Sequence, residues 1–328
     1  MNSRHHSGAA IIAALLVVAL VAALGTRLML TQEIWLNQTD ARYRLDSTRE
    51  IAHASLHWAR AILYDDGRRS QVDHAGEAWA QPLPATTFDD ATLAGQLEDA
   101  QGKFNLNTLV QDGKANDSAV AAFTRLLNSL NLPPSLADTL VDWMDADTEP
   151  VSPQGAEIAY YAARPSYLSN SNRNAANPSQ PPTQLPASLP NMPPNAPLGS
   201  LEELLWIRGY DVKTLRILRP FVTALPVATA INVNTAPAEV LSAIVPRLSL
   251  SRARQLVAER TTGHFESLDE FKAHLMNTER ENLENIGVAS QFFFAHGEIR
   301  LEQTAYRIDA LLQRQDAQWP RIVWQRQQ

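Results

Sequence analysis

The sequence predicts an α+β fold. A long N-terminal helix carries a small antiparallel sheet, and a large all-α segment is inserted between the strands. Three observations lead there. From Ala9 to Leu63 the chain has no proline and only one glycine, Gly25, so it can remain helical throughout. Short alternating runs lie near 91–106 and again between 291 and 324, the pattern of half-buried strands. Between those runs, apolar residues recur with helical period. At 328 residues, 45% hydrophobic and 19% charged, the chain can bury a sizeable core, which excludes global disorder. The net charge of −7 argues against a whole-surface grip on nucleic acid. The absence of cysteine excludes disulfides, thiol nucleophiles, Cys-ligated zinc and iron–sulfur clusters.

The first element is the most informative. All residues from Ala9 to Leu24 are Ala, Ile, Leu or Val, and the run through Thr26 spans roughly 27 Å of helix, close to a bilayer's hydrocarbon core. Arg4, His5 and His6 precede it and Arg27 follows. A cleaved secretory signal, an uncleaved anchor and a prepilin-type leader all fit these flanks. The last is preferred: a short polar peptide ending at Gly8 is cut before Ala9 and the apolar helix is kept. A secretory signal is normally followed by a break, whereas Thr31–Leu63 holds neither Pro nor Gly. On that stretch Ile51, Ser55, Trp58 and Ile62 share a face, beside Ala52, Leu56, Ala59 and Leu63.

Asp65-Asp66-Gly67 ends the helix. Ala91–Ala100 and Phe104–Leu106 alternate as one or two strands. Asn116-Asp117-Ser118 is a capping sequence for a helix with Val120, Phe123, Leu127 and Leu130 on one stripe. Pro133-Pro134 breaks the chain before Leu136, Leu140 and Trp143. Residues 165–197 form a loop with eight prolines between Pro178 and Pro197. Helical blocks follow at 198–219 and from Ala236 to about Leu283. Short strand runs, split by Gly297, Asp316 and Pro320, close the chain.

Two elements recur. Phe104-Asn-Leu-Asn-Thr108 returns as Ile231-Asn-Val-Asn-Thr235, each before a pair of helices that its Asn and Thr residues are expected to cap. Leu198-Gly-Ser-Leu-Glu-Glu-Leu-Leu205 is echoed by Phe265-Glu-Ser-Leu-Asp-Glu-Phe271. This suggests a duplicated helical unit. Residues 231–271 resemble the helix-hairpin-helix modules of competence-type DNA receptors. That likeness raises an alternative function, a membrane-anchored DNA-binding receptor. The turn Val245-Pro-Arg-Leu-Ser-Leu-Ser251 has no glycine, however, and a phosphate-binding hairpin needs one for close backbone approach. Packing of protein on protein is the preferred reading, although Arg247, Arg252 and Arg254 could make a small basic patch.

Taken in order, these segments resemble the type II secretion system protein K family, the large minor pseudopilin. The resemblance runs from the leader at Gly8 through Gly102-Lys-Phe-Asn-Leu-Asn-Thr108 and Asp142-Trp-Met-Asp-Ala-Asp147. It continues in Gly155-Ala-Glu157 with Tyr160-Tyr161, Ser200-Leu-Glu-Glu-Leu-Leu205, Pro220-Phe-Val-Thr223 and Ile231-Asn-Val-Asn-Thr235. It implies a pilin-like αβ domain at 31–106 and 285–328, behind a leader at 1–8 and a transmembrane and assembly helix at 9–30. An inserted helical domain at 107–228 and a helix-hairpin-helix-like subdomain at 229–284 complete it. It also implies a single-pass protein of the inner membrane with its bulk in the periplasm. Expected partners are the prepilin peptidase, the inner-membrane assembly platform, the bilayer and the minor pseudopilins I and J, with no nucleic acid. Most pilin-like subunits carry Glu at the fifth mature position; here that position, counted from Ala9, is Ala13. The resemblance thus implies a tip subunit that starts pseudopilus assembly for export of folded proteins across the outer membrane.

The densest acidic cluster is Asp142, Asp145, Asp147 and Glu149, followed by Glu157. The alternating oxygens of Asp145-Ala-Asp147-Thr-Glu149 suit calcium, a hard cation, although Pro150 in the glycine slot excludes an EF-hand. Calcium is preferred over a solvated helix end, and the resemblance also implies calcium in the helical domain. His53 and His57, at i,i+4, read as a helix-surface pair. There is no Gly-x-Ser-x-Gly elbow, Walker loop or Gly-x-Gly-x-x-Gly, so no catalytic or cofactor-binding residue is assigned and an enzyme is not expected.

Overall fold

The computed structural model describes residues 6–88, 91–162, 195–281, 283–301, 304–315 and 318–327. Most of the 165–197 loop therefore lies outside the described residues. The chain begins with one uninterrupted helix, α1 (His6–Gly67), of 62 residues, about 93 Å long. It passes through Gly8 and Ala9 without a break. Its Ile11–Met29 stretch is long and apolar enough to cross a membrane, and none of it is buried within the fold.

Further along, α1 turns one face inward. Thr48, Ala52, Leu56, Ala59 and Leu63 are buried, and the last four pack with Trp79, Phe293, Ile299, Ile308 and Leu312. The neighbouring stripe sits at the margin, and its Trp58 remains 48% exposed. The small residues Ala52 and Ala59 let the helix approach the sheet more closely than an indole would.

The sheet is assembled from both ends of the remaining chain. β1 (Leu83–Phe88) and β2 (Ala91–Asp99) pair antiparallel. The sequence reading did not anticipate β1, whose Pro84 falls at a register irregularity on an edge strand, where a missing N–H is tolerated. The chain then leaves the sheet through β3 (Phe104–Asn105) and a hairpin of β4 (Val110–Gln111) and β5 (Lys114–Ala115). Helices α2 (Asp117–Ser129), α3 (Ser135–Met144), α4 (Ile158–Ala162) and α5 (Val212–Leu218) follow. After β6 (Val222–Thr223) and β7 (Ile231–Asn232) come α6 (Ala238–Ile244), α7 (Leu250–Thr262), α8 (Leu268–Ala273) and β8 (Ile286–Gly287). The chain returns as β9 (Phe292–Leu301), β10 (Thr304–Gln315) and β11 (Gln318–Gln327). Sheet order is β1-β2-β9-β10-β11, with every pairing antiparallel. Because β2 and β9 are neighbours, from Ala91↔Leu301 to Asp99↔Phe293, residues 100–291 leave and re-enter between adjacent strands.

Several local expectations are corrected. Gly297 does not split a strand. It lies within β9 opposite Gly95, where a Cβ would come within 2.9 Å of Ile308 Cγ2. Pro320 lies within β11, and its carbonyl accepts a 2.6 Å hydrogen bond from Arg60 Nε. The 198–219 block is a 3₁₀ turn at Leu201–Trp206 followed by α5. The first piece ends at the extended Ile207, and Gly209 then adopts φ +88°, a conformation that favours glycine, before α5 begins. The segment between β2 and β9 is rich in helix, but it also holds the parallel ladders β3–β6 and β7–β8 and the antiparallel β4–β5.

The two Asn-containing repeats open those parallel ladders, and only Phe104–Asn105 and Ile231–Asn232 are extended. Asn105 caps the 3₁₀ turn Leu106–Thr108 that follows it, as expected, whereas the α-helices beyond start without help from the repeats. Asn116 caps α2, and α6 begins after Pro237 with no side-chain cap. The asparagines act at longer range. Asn105 and Asn232 each turn back to accept from the backbone N–H two residues on, at 3.2 and 2.9 Å. Asn107 donates to Leu198 O at 2.9 Å and accepts from Leu198 N at 2.8 Å. Asn234 does the same to Phe265, at 2.9 and 2.8 Å. Each clamp thus seizes the first residue of the echoed Ser-Leu-Glu/Asp-Glu segment. One apolar cluster runs through both units, including Phe104, Phe123, Trp143, Leu241, Phe265 and Phe271.

Where this segment meets the sheet, Asp99 is the hub. It accepts from Gln101 N (2.8 Å), Thr235 Oγ1 (2.6 Å), Ser290 Oγ (2.7 Å) and Asn232 Nδ2 (2.9 Å). Beside it Arg314 pairs with Asp66 at 2.7 Å and with Asp73, and also donates to Ser290 O at 2.7 Å. Ala100, Leu225, Phe292 and Leu311 form a small apolar cluster at the same junction.

Candidate metal centre

Helix α3 delivers the acidic cluster because its apolar positions bury it. Leu136, Leu140, Trp143 and Met144 are inaccessible or nearly so. Asp142 goes inward with them. Its two carboxylate oxygens accept from Val151 N at 2.9 Å and Ala156 N at 2.6 Å, folding residues 145–157 back over the helix end. A Cβ on Gly155 would collide with Asp142 Oδ2, so only glycine fits there. The loop is held from outside by Arg208, which donates to Gly155 O at 2.9 Å. The β4–β5 hairpin holds it too, Gly113 O accepting from Ala146 N at 3.0 Å.

This folding brings Asp145, Asp147 and Glu157 together, each with a carboxylate oxygen within 4.8 Å of the others. Asp145 and Glu157 are buried, Asp147 exposed. Asp145 Oδ1 and Glu157 Oε1 are buried atoms with no hydrogen-bond partner. Burial, reinforced by the neighbouring carboxylates, pushes Asp145 up to about 6 and Glu157 up to about 7. A residue that sequence reading missed borders this group through the Asp147 backbone. Asn195 Nδ2 donates to Asp147 O at 3.4 Å, and Asn195 Oδ1 is also buried without a partner. Orphaned oxygens of this hardness, several of them anionic, fit a divalent cation such as calcium. Asn195 reaches the cluster because Asn107 fixes Leu198 only three residues later.

The other two acidic residues singled out in the sequence are placed outside this group. Asp142 spends both oxygens on backbone N–H groups, and burial raises its pKa. Glu149 is exposed, and its own N–H donates to Asp147 Oδ1 at 2.9 Å. A second carboxylate group, Asp66, Asp73 and Glu77, already has its cation in Arg314. His53 and His57 are exposed on α1.

In the helix-hairpin-helix-like unit, Arg247 occupies the turn with φ +65°, a left-handed conformation that favours glycine. Arg247, Arg252 and Arg254 lie 3.8, 3.3 and 3.5 Å from Glu281, Glu259 and Glu239. The patch these arginines could have presented is paired with carboxylates of the same unit.

Comparison with known proteins gives a consistent result. Two family profiles, both described as type II secretion system (T2SS), protein K, match residues 102–227 and 231–288. A type II secretion system protein K of Pseudomonas aeruginosa is 31% identical over 325 residues, covering 95% of this chain and 90% of that protein. One from Klebsiella pneumoniae is 29% identical, covering 96% and 94%. Among solved structures, the fold resembles a chain from the GspK-GspI-GspJ complex of the enterotoxigenic Escherichia coli type 2 secretion system. The TM-score is 0.72 at 22% identity, over 89% of this chain and 99% of the other.

Proposed function

The chain belongs to the type II secretion system protein K family, and from that premise we propose that it is a minor pseudopilin that caps the pseudopilus tip and initiates its assembly. The observation that carries this reading is the joining of two features in one chain. An unbroken 62-residue helix has a wholly exposed apolar N-terminal stretch. A large segment, residues 100–291, is inserted between two adjacent strands of the sheet packed on that helix. The first suits a subunit drawn from the bilayer into a filament. The second would obstruct subunits stacked above it, which suits the end of a filament.

Within this reading the leader 1–8 is removed by the prepilin peptidase at the Gly8–Ala9 bond, and α1 anchors the subunit in the inner membrane before the assembly platform extracts it. Ala13 replaces the glutamate that other pilin-like subunits direct at a neighbour's terminal amine. A tip subunit has no neighbour above to satisfy that charge, and an unpaired carboxylate in hydrocarbon is costly. The partners are the I and J minor pseudopilins, which accompany GspK in the complex named above. Residues 107–284 act as an inserted helical body. Its helix-hairpin-helix-like unit packs protein on protein, in keeping with the paired arginines.

Calcium held by Asp145, Asp147 and Glu157, with Asn195, has a structural role: it would neutralise the buried carboxylates and fasten the 145–157 loop to the chain returning at Asn195. We assign no catalytic role. The intact mass of the protein extracted from its host's membranes tests the reading. Loss of residues 1–8 with a methylated Ala9 is expected; cleavage after Gly25, or no cleavage, overturns it.

A further inference from the structure

At the far end of α1, four side chains form a row in which two rings lie between two guanidinium groups. The Arg60 guanidinium lies 5.5 Å from the centre of the Trp319 ring. Trp319 meets Tyr64 at 5.4 Å, and Arg68 lies 5.6 Å from Tyr64. Arg60 is fixed by its 2.6 Å hydrogen bond to Pro320 O, yet Trp319 remains 46% exposed and Arg68 is exposed. Arg69 and Arg314 nearby have carboxylate partners. Among the described residues, Arg60 and Arg68 have none. Stacking on a ring leaves a guanidinium's in-plane N–H groups free to donate, so the patch offers the whole Arg68 fork and the terminal N–H groups of Arg60 on an aromatic base. Trp, Tyr and Arg are the residues that dominate interface energetics. A basic patch on a chain of net charge −7 selects a partner of opposite sign.

We propose that Arg60, Tyr64, Arg68 and Trp319 form the docking patch for a carboxylate-rich face of a neighbouring filament subunit. The proposal rests on the pseudopilin reading above. Its position favours that occupant. Helical periodicity continues the Arg60–Tyr64–Arg68 flank into Trp35 and Leu28, exposed by 66% and 65%, so one side of α1 runs from an apolar, uncovered end to this patch. An anionic lipid surface is too remote. Arg60 lies roughly 45 Å of helix beyond Met29, several times the Debye length of about 8 Å.

The test uses the full chain in detergent with the I and J minor pseudopilins of its host, titrated calorimetrically at low and moderate salt. For one partner, Arg68→Glu is expected to weaken binding about tenfold and flatten its salt dependence. Trp319→Ala is expected to weaken binding at both salts. Arg68 makes no hydrogen bond within the described fold and only its contact with the Tyr64 ring is lost, so the thermal midpoint of Arg68→Glu should fall by no more than about 4 °C. Variant affinities within roughly twofold of wild type overturn the patch while leaving the pseudopilin reading intact. A wild-type chain that binds neither partner overturns that reading and the patch with it. Self-association abolished by the same substitutions would make the occupant a second copy and overturn the proposal.

Discussion

Asn107 holds Leu198 through both ends of its amide, donating at 2.9 Å and accepting at 2.8 Å, and Asn234 repeats this grip on Phe265. A side-chain amide here imitates a strand neighbour. It pairs one residue's N–H and C=O at once, in a place where no strand runs.

Replacing Asn107 by Ala would strand the Leu198 N–H and the Leu198 and Leu225 carbonyls in the interior. The expected loss is about 2–4 kcal/mol, measured by urea unfolding. Calcium affinity of the folded variant should fall as well, since Asn195 is positioned from Leu198.

Glu157→Gln removes a buried anion whose Oε1 has no hydrogen-bond partner. The wild-type chain should show a thermal midpoint that rises with calcium and falls back with chelator. The variant's midpoint should hardly respond to calcium. An unchanged calcium response would exclude Glu157 as a ligand.

Gly155→Ala places a methyl group against Asp142 Oδ2. The carboxylate must move off Val151 N and Ala156 N, so a destabilisation of about 2–4 kcal/mol is expected by denaturant unfolding. Gly263→Ala is the control, because nothing lies within 4 Å of a Cβ there.

Burial raises Asp99 to about 6 in the fold, against 3.8 for a free Asp. A carboxyl with a raised folded pKa binds its proton more tightly when folded. Its contribution is complete below pH 4 and is lost as pH climbs through 6. As pH rises over that window, stability measurements should shift in favour of Asp99→Asn relative to wild type by on the order of 3 kcal/mol. A pH-independent difference would remove Asp99 from the account.

The long helix was legible because its code is local: the absence of Pro and Gly between Thr31 and Leu63 and a stripe at helical spacing suffice. The duplicated unit was visible as two pairs of echoed segments, but not the bonds that join each pair. A clamp from Asn107 to Leu198 spans 91 positions, and nothing in a sequence of short echoes states which atoms meet. The acidic cluster was visible as composition. Its division was not, since whether Asp142 or Asp145 faces the loop depends on the backbone beyond α3. Asn195 was hidden in a Pro/Asn-rich stretch where no asparagine stands out from its neighbours. Gly297 and Pro320 misled for the opposite reason: both resemble strand breakers, yet Ile308 of β10 leaves no room for a Cβ at the first, and the second lies on the edge strand β11, where a missing N–H is tolerated.

The placement of residues 100–291 between β2 and β9 also sets an order of events. Three of the five sheet strands, β9, β10 and β11, follow the inserted segment in the chain, so they are made after it. Pairing β9 with β2 across a floppy intervening chain would carry a large closure entropy. Once the intervening units have folded, Asp99 and Ser290 are already joined by a hydrogen bond, and the closure becomes local. The platform on which α1 rests is therefore finished only after the segment between β2 and β9 has been made. Until those three strands are made, Ala52, Leu56, Ala59 and Leu63 lack most of the sheet residues that cover them.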